Sequence, residues 1–301
     1  MTYSIVARDP ETGRLGVAVQ SHWFSVGSVV PWGEAGVGVV ATQSFAERSY
    51  GPLGLELMRR GRSAPEALEM LVRADEYESS RQVAFVDRDG GVAVHSGADC
   101  IREFGHNTGN AFSVQANMME RDTVWDAMAD AYRAADGDLP DRMLAALAAG
   151  QAEGGDIRGM QSAAILVVAS EPTGTEWDDR VLDLRVEDHP MPVDELARLV
   201  RLWRAYGHAE AAEQLELDED RGRALDERLA SLEVQPGHPE LSFWAAVALA
   251  QAGRAHEAQQ AAAVAHGHGR GWAELLRRVV ADGQVELTQD QLGLLLEPPD
   301  S

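Results

Sequence analysis

The chain has 301 residues, 45% of them apolar, enough to bury a core and exclude a disordered polymer. A formal net charge of -23 excludes a general affinity for nucleic acid or an anionic membrane surface. Lysine is absent, all 26 basic residues being arginine, and Cys100 is the single cysteine, so a lysine base, an intrachain disulfide and a cysteine-rich zinc site are all excluded.

Residues 2–8 read as a strand, Asp9 to Arg14 as a tight turn, and Leu15 to Gln20 as a returning strand. This hairpin brings Gln20 and Ser21 back towards Thr2. A small-residue and aromatic stretch runs from Ser21 to Trp32, and Gly36 to Gln43 is a buried strand whose glycines suggest close approach of another backbone. Leucine and methionine spacing predicts a helix over 51–60. Ser63-Ala64-Pro65-Glu66 starts another with a serine cap, a proline and a first-turn glutamate. Residues 81–87 and 92–96 flank an Asp-Gly turn and form a second hairpin. A strand over 111–118, helices over 123–135 and 139–150, and strands over 163–168 and 181–186 follow.

Strands in antiparallel groups with helices in pairs predict an α+β layered sandwich rather than alternating βαβ units. Prolines at Pro190 and Pro192 mark a composition change, giving a domain over 1–190 and a helical region over 191–301. Within the latter, helix-like leucines run from Val193 to Tyr206, Leu241 to Ala258 reads as one tetratricopeptide-like hairpin, and Trp272 to Val280 as a short helix. No apolar run approaches the ~20 residues that span a bilayer, and no basic-then-apolar leader opens the chain, so a cytoplasmic protein is expected.

Thr2 is the residue of most chemical interest. Once initiator Met1 is removed, a threonine with a free α-amino group carries a nucleophile and a base in one residue. The plain alternative is that Thr2 simply begins an edge strand. Three polar groups stand at the ends of apolar strands: Thr42-Gln43-Ser44, Gln115-Ala116-Asn117, and the run from Gly154 to Ser162. Amides and hydroxyls converging there suit an oxyanion hole or a substrate clamp, with Asn117, Gln43 or Gln161 as donors. Ser21, Thr42, Gln115, Gln161 and Ser162 are further candidates for binding substrate, and Asp156 with Arg158 for fixing a carboxylate. Each of these is otherwise a turn satisfying its own backbone. The histidines His22, His95, His106 and His189 have no metal-ligand spacing. With no dinucleotide fingerprint or phosphate loop either, no metal and no cofactor are expected.

Residues 2–9, the run Gly36 to Gln43, Ser49-Tyr50-Gly51-Pro52, Gln115 to Met118, the Gly-Gly-Asp run through Gln161-Ser162-Ala163-Ala164, and Asp179 to Val186 resemble the bacterial and archaeal family DUF1028. The resemblance covers about residues 2–190. It implies membership of the N-terminal-nucleophile (Ntn) hydrolases and a four-layer αββα sandwich. It also implies a smaller C-terminal extension that the family labels peptidoglycan-binding, here all-α. Such hydrolases cleave amide bonds with an N-terminal Thr, Ser or Cys. Thr2 occupies that place, Ser4 is the alternative, and the implied substrate is a small-molecule or short-peptide amide. The sequence departs from the proteasome-like pattern in having no lysine beside the nucleophile, so Arg8, Asp9 or a water would have to assist. The competing expectation is a catalytically silent scaffold of the same fold that binds a ligand or partner. A homo-oligomer is a further expectation.

Overall fold

The computed structural model describes residues 2–175 and 177–297. Met1, whose removal the N-terminal chemistry requires, lies outside them. The chain opens with β1 (Thr2–Arg8), β2 (Leu15–Ser21), β3 (Pro31–Glu34) and β4 (Gly38–Ser44), then α1 (Tyr50–Arg59) and α2 (Ala64–Ala74). β5 (Arg81–Asp87), β6 (Val92–Ser96), β7 (Gly105–Gly109) and β8 (Phe112–Asn117) precede α3 (Val124–Ala134) and α4 (Leu139–Ala152). β9 (Ser162–Val168) and β10 (Arg180–Val186) complete the sheets.

Six strands form one antiparallel sheet in the order β10-β9-β2-β1-β8-β7, and four form a second in the order β3-β4-β5-β6. The two sheets face each other. α1 and α2 cover the outer face of the smaller sheet, and α3 and α4 that of the larger. The result is an α+β sandwich in four layers, αββα. Side chains alternate across each strand, so β1 sends Tyr3 towards α4, where its hydroxyl donates to Gln151, and sends Ser4 and Val6 between the sheets. The inter-sheet space is apolar on one side, where Val6, Val17 and Val19 meet Val39, Ala41 and Ala84. On the other side, towards β8 and β5, it is filled with amides.

Local signals account for most elements. The Ser63 hydroxyl and the Glu66 carboxylate form a reciprocal capping box that starts α2. Asp138 caps α4, which runs past the expected stop at Gly150 to Ala152. Two strands had no sequence signal, β3 and β7. Both are sheet edges of low β-propensity composition, Pro-Trp-Gly-Glu and Gly-His-Asn-Thr-Gly, and each is held by pairing to its one neighbour.

The chain divides into two compact units, 1–198 and 199–301, the division falling inside α5 (Pro192–Leu217). The helix expected to end near Tyr206 continues through the acidic stretch to Leu217. In the second unit it is followed by α6 (Arg221–Val234), α7 (Pro239–Gln251), α8 (Ala255–Gly267), α9 (Gly271–Ala281) and α10 (Gln289–Leu296). α7 and α8 are the expected helical hairpin. Phe243 and Leu249 of α7 join Ala258, Ala262 and Ala265 of α8 in its core. Arg228 is buried there and forms an ion pair with Glu216. No helix among the described residues is long and apolar enough to cross a membrane.

Glycines let α1 lie close on the smaller sheet. A Cβ at Gly54 would fall 2.4 Å from the Phe85 ring, and one at Gly51 would fall 2.3 Å from Trp32. Gly54→Ala therefore overpacks this interface. It should lower unfolding free energy by about 1–3 kcal/mol in urea denaturation, even though alanine is the better helix former by about 1 kcal/mol.

Candidate functional site

Thr2 begins β1, which is central in the larger sheet, and it lies opposite Asn117 of β8. It is only 4% exposed, yet it lines a cavity of about 580 Å³. Its hydroxyl donates to Ser21 Oγ at 3.1 Å, the contact that the β1–β2 hairpin register makes possible. Ser21, Gln43, Asn117 and Arg158 line the same cavity.

The Thr2 carbonyl is held from two directions. Gln43 Nε2 donates to it at 3.2 Å and Asn117 Nδ2 at 3.4 Å. Both amides also donate to Gln82 Oε1, at 2.8 and 2.9 Å. Both amide hydrogens of Asn117 thus have an acceptor, and in this arrangement Asn117 and Gln43 position the start of β1. Behind them runs a directional chain of hydrogen bonds. Ser113 Oγ donates to Gln115 Oε1, Gln115 Nε2 to Ser4 Oγ, Ser4 Oγ to Gln43 Oε1, Gln43 Nε2 to Gln82 Oε1, and Gln82 Nε2 to Ser96 Oγ. Ser4 and Gln115 are therefore fully buried links behind the cavity and do not line it.

The remaining candidates hold the loops around the site. Asp156 accepts the backbone N–H of His22 at 3.1 Å and of Arg158 at 2.9 Å, and pairs with the Arg158 guanidinium through Nε at 3.2 Å and Nη2 at 3.0 Å. Ser162 accepts from Val26 N and donates to Trp23 O, tying down the loop after β2. Thr42 donates to Glu47 O and so pins the loop that carries Phe45 and Arg48. Gln161 donates to Asp188 and lies off the cavity. Arg8 and Asp9 sit at the far end of β1, about 20 Å along the strand from Thr2, so neither assists it. Among the described residues no group of three or more His, Cys, Asp or Glu could hold a metal ion.

Sequence reasoning did not select Gln82, Arg48, Arg81 or the apolar lining residues Trp23, Phe45, Ile101 and Met118. Gln82 carried a usable signal: a glutamine at the head of the apolar run Val83 to Val86, inside a strand, is a buried amide seeking partners. Two cavity residues, Ser44 and Met118, are non-glycine residues with left-handed backbone, at φ 69° and 57°. Both stand at strand ends, where β4 and β8 give way to loops. The surrounding chain fixes them: Met118 N–H donates to Ile101 O, Ile157 N–H donates to Met118 O, and Ser44 pairs with Arg81.

Arg81 is held by Asp75, with both side chains 13% exposed, and donates to Phe45 O. Burial opposes ionisation of Asp75. Hydrogen bonds from Arg81, Tyr77 N–H and the Tyr50 hydroxyl, together with the Arg81 charge, outweigh it and hold the carboxyl below the usual range. The same partner raises the Arg81 pKa.

A family model described as a family of unknown function, DUF1028, matches residues 2–196. The chain belongs to the DUF1028 family. A solved structure of a Silicibacter pomeroyi protein, a crystal structure placed under the same family model, is 31% identical in sequence with a TM-score of 0.60. The match covers 66% of this chain and 88% of that one. No curated protein matches the chain.

Two outcomes follow from these contacts. Gln82→Leu removes the acceptor shared by Gln43 and Asn117 and leaves one buried N–H of Asn117 without a partner, while Gln43 keeps the Thr2 and Gln115 carbonyls, so it should cost about 1–3 kcal/mol, read by urea denaturation. A depressed carboxyl stabilises the fold above its unfolded pKa and loses that contribution as pH falls through its folded pKa. The acid-induced loss of stability below about pH 4, the ordinary aspartate range, should therefore be shallower in Asp75→Asn than in the parent.

Proposed function

We propose that the chain is an amidohydrolase of the Ntn type, with Thr2 as its nucleophile after Met1 removal and a small-molecule or short-peptide amide as substrate. One observation carries this reading: a nearly buried Thr2 at the start of the central strand lines a cavity between two facing sheets, its hydroxyl bonded to Ser21. The αββα layering and the implied relationship to Ntn hydrolases support it.

In this reading Thr2 Oγ1 attacks the amide carbonyl carbon, and its proton passes to the Thr2 α-amine. The C–N bond breaks as the leaving amine takes that proton, leaving an acyl ester on Oγ1. Water then attacks the ester, giving up its proton through the same amine, and releases the acid and free Thr2. Ser21 Oγ is the acceptor next to the attacking hydroxyl and orients it. Gln43 and Asn117 fix the Thr2 backbone, and Arg158 lines the cavity as a fixed positive charge. The absence of lysine leaves the amine as the base.

The second reading is a catalytically silent ligand-binding scaffold. It is favoured by one fact: the amides around Thr2 spend their hydrogens on its carbonyl and on Gln82, as a purely structural core would. Intact mass before and after a β-lactone electrophile separates the two. The hydrolase gives loss of Met1 and one adduct mapping to Thr2, abolished in Thr2→Ala. Retained Met1 with no adduct would sink the hydrolase reading. Adduct formation should rise with pH as the amine deprotonates, around its reference pKa of about 8.

A further inference from the structure

Among the described residues, three arginines, Arg48, Arg81 and Arg158, line the cavity beside Thr2, and no carboxylate does. In a chain with 49 acidic residues and a net charge of -23, that is a local reversal of sign. The arginines are built in differently. The Asp156 carboxylate is fully buried while the Arg158 side chain is 31% exposed, so the pair presents its guanidinium to the cavity and keeps its anion behind. Two backbone N–H donors fix Asp156, so Arg158 is oriented before any ligand arrives. Arg81 is also held by a carboxylate, Asp75, but both side chains of that pair are 13% exposed and Arg81 donates to Phe45 O as well. Arg48 is exposed, and among the described residues its side chain has no hydrogen bond or ion pair. An unpaired guanidinium and an oriented one lining the same cavity suit a planar carboxylate.

The same cavity exposes apolar surface. Trp23 is 60%, Phe45 57% and Ile101 42% exposed, and all three line it. Large side chains left open around a concave site mark contact with an apolar group. The two features together define an amphipathic ligand.

We infer that the cavity takes an N-acylated amino acid or short acylated peptide with a free carboxylate, the carboxylate on Arg48 and Arg158 and the apolar acyl group against Trp23, Phe45 and Ile101. In this pose the amide that joins the two ends is the bond presented to Thr2, which lines the same cavity. The identity of the reacting bond rests on the amidohydrolase reading, whereas the anion subsite needs only the cavity and its arginines.

The test uses full-length Thr2→Ala protein, which binds without turnover, and calorimetric titration with N-phenylacetylglycine, its methyl ester and N-acetylglycine. The free acid should bind at least about tenfold more tightly than the ester. It should also bind about tenfold more tightly than N-acetylglycine, which lacks the phenyl group. Arg48→Gln, which disturbs no other contact, should shrink the acid-over-ester ratio several-fold, as should raised salt. Arg158→Gln should do the same where the protein remains folded by circular dichroism. Equal affinity for acid and ester, or a ratio unmoved by Arg48→Gln, overturns the inference. Failure of the catalytic reading is separate: wild-type protein with no β-lactone adduct on Thr2, but with the acid-over-ester ratio intact, removes the hydrolysis and supports the anion subsite.

Discussion

An amide side chain shut between two sheets has no water to bond to, so every N–H and C=O it carries must find a partner in the protein. Four such amides, on Gln43, Gln82, Gln115 and Asn117, share this space with the Ser4 hydroxyl, and they satisfy one another across four strands of two sheets. Sliding any one strand by a residue would turn its polar side chain to the other face and orphan several partners at once. The same amides grip the Thr2 carbonyl. Register, sheet-to-sheet spacing and the placement of the first residue of β1 are thus one constraint rather than three. Apolar packing on the opposite side, around Val19, Val39 and Ala84, supplies burial but does not impose such a specific alignment.

Charge at Arg158 is arranged by burying its partner more deeply than the arginine itself. Asp156 is sealed beneath Arg158, and it also collects backbone N–H groups from two loops. A buried carboxylate is costly alone but tolerable with several donors, and it locks the guanidinium that satisfies it. This lets an acidic chain offer a cationic wall at one place without lysines, whose flexible ammonium groups would not hold a fixed orientation.

Much of the fold was legible because its signals are local. The β1–β2 hairpin, the capping box at Ser63 and the Asp-Gly turn before β6 each follow from a few neighbouring residues. The edge strands β3 and β7 were not, because pairing and not composition makes them strands. α10 was missed although Thr288-x-x-Gln291 is a capping box. In the site, Thr2, Ser21, Gln43, Asn117 and Arg158 could be picked out as polar residues at strand ends, and the structure brings them to one cavity. Their division of labour could not be read. Whether an amide faces a cavity or a carbonyl depends on residues far away in sequence, such as Gln82. Arg48 and Arg81 looked like ordinary surface arginines, since only folding places them beside a strand that starts some forty and eighty residues earlier.

The left-handed backbone at Ser44 and Met118 has a consequence for how this protein tolerates change. L-residues in that conformation cost about 1–2 kcal/mol each, a cost that glycine would relieve. Selection for stability alone would therefore drift both positions towards glycine. Doing so would strip two side chains from the cavity wall. The cavity is thus maintained against the thermodynamic preference of its own backbone. Thermostable relatives that keep a residue other than glycine at both positions would be those in which the cavity is still in use.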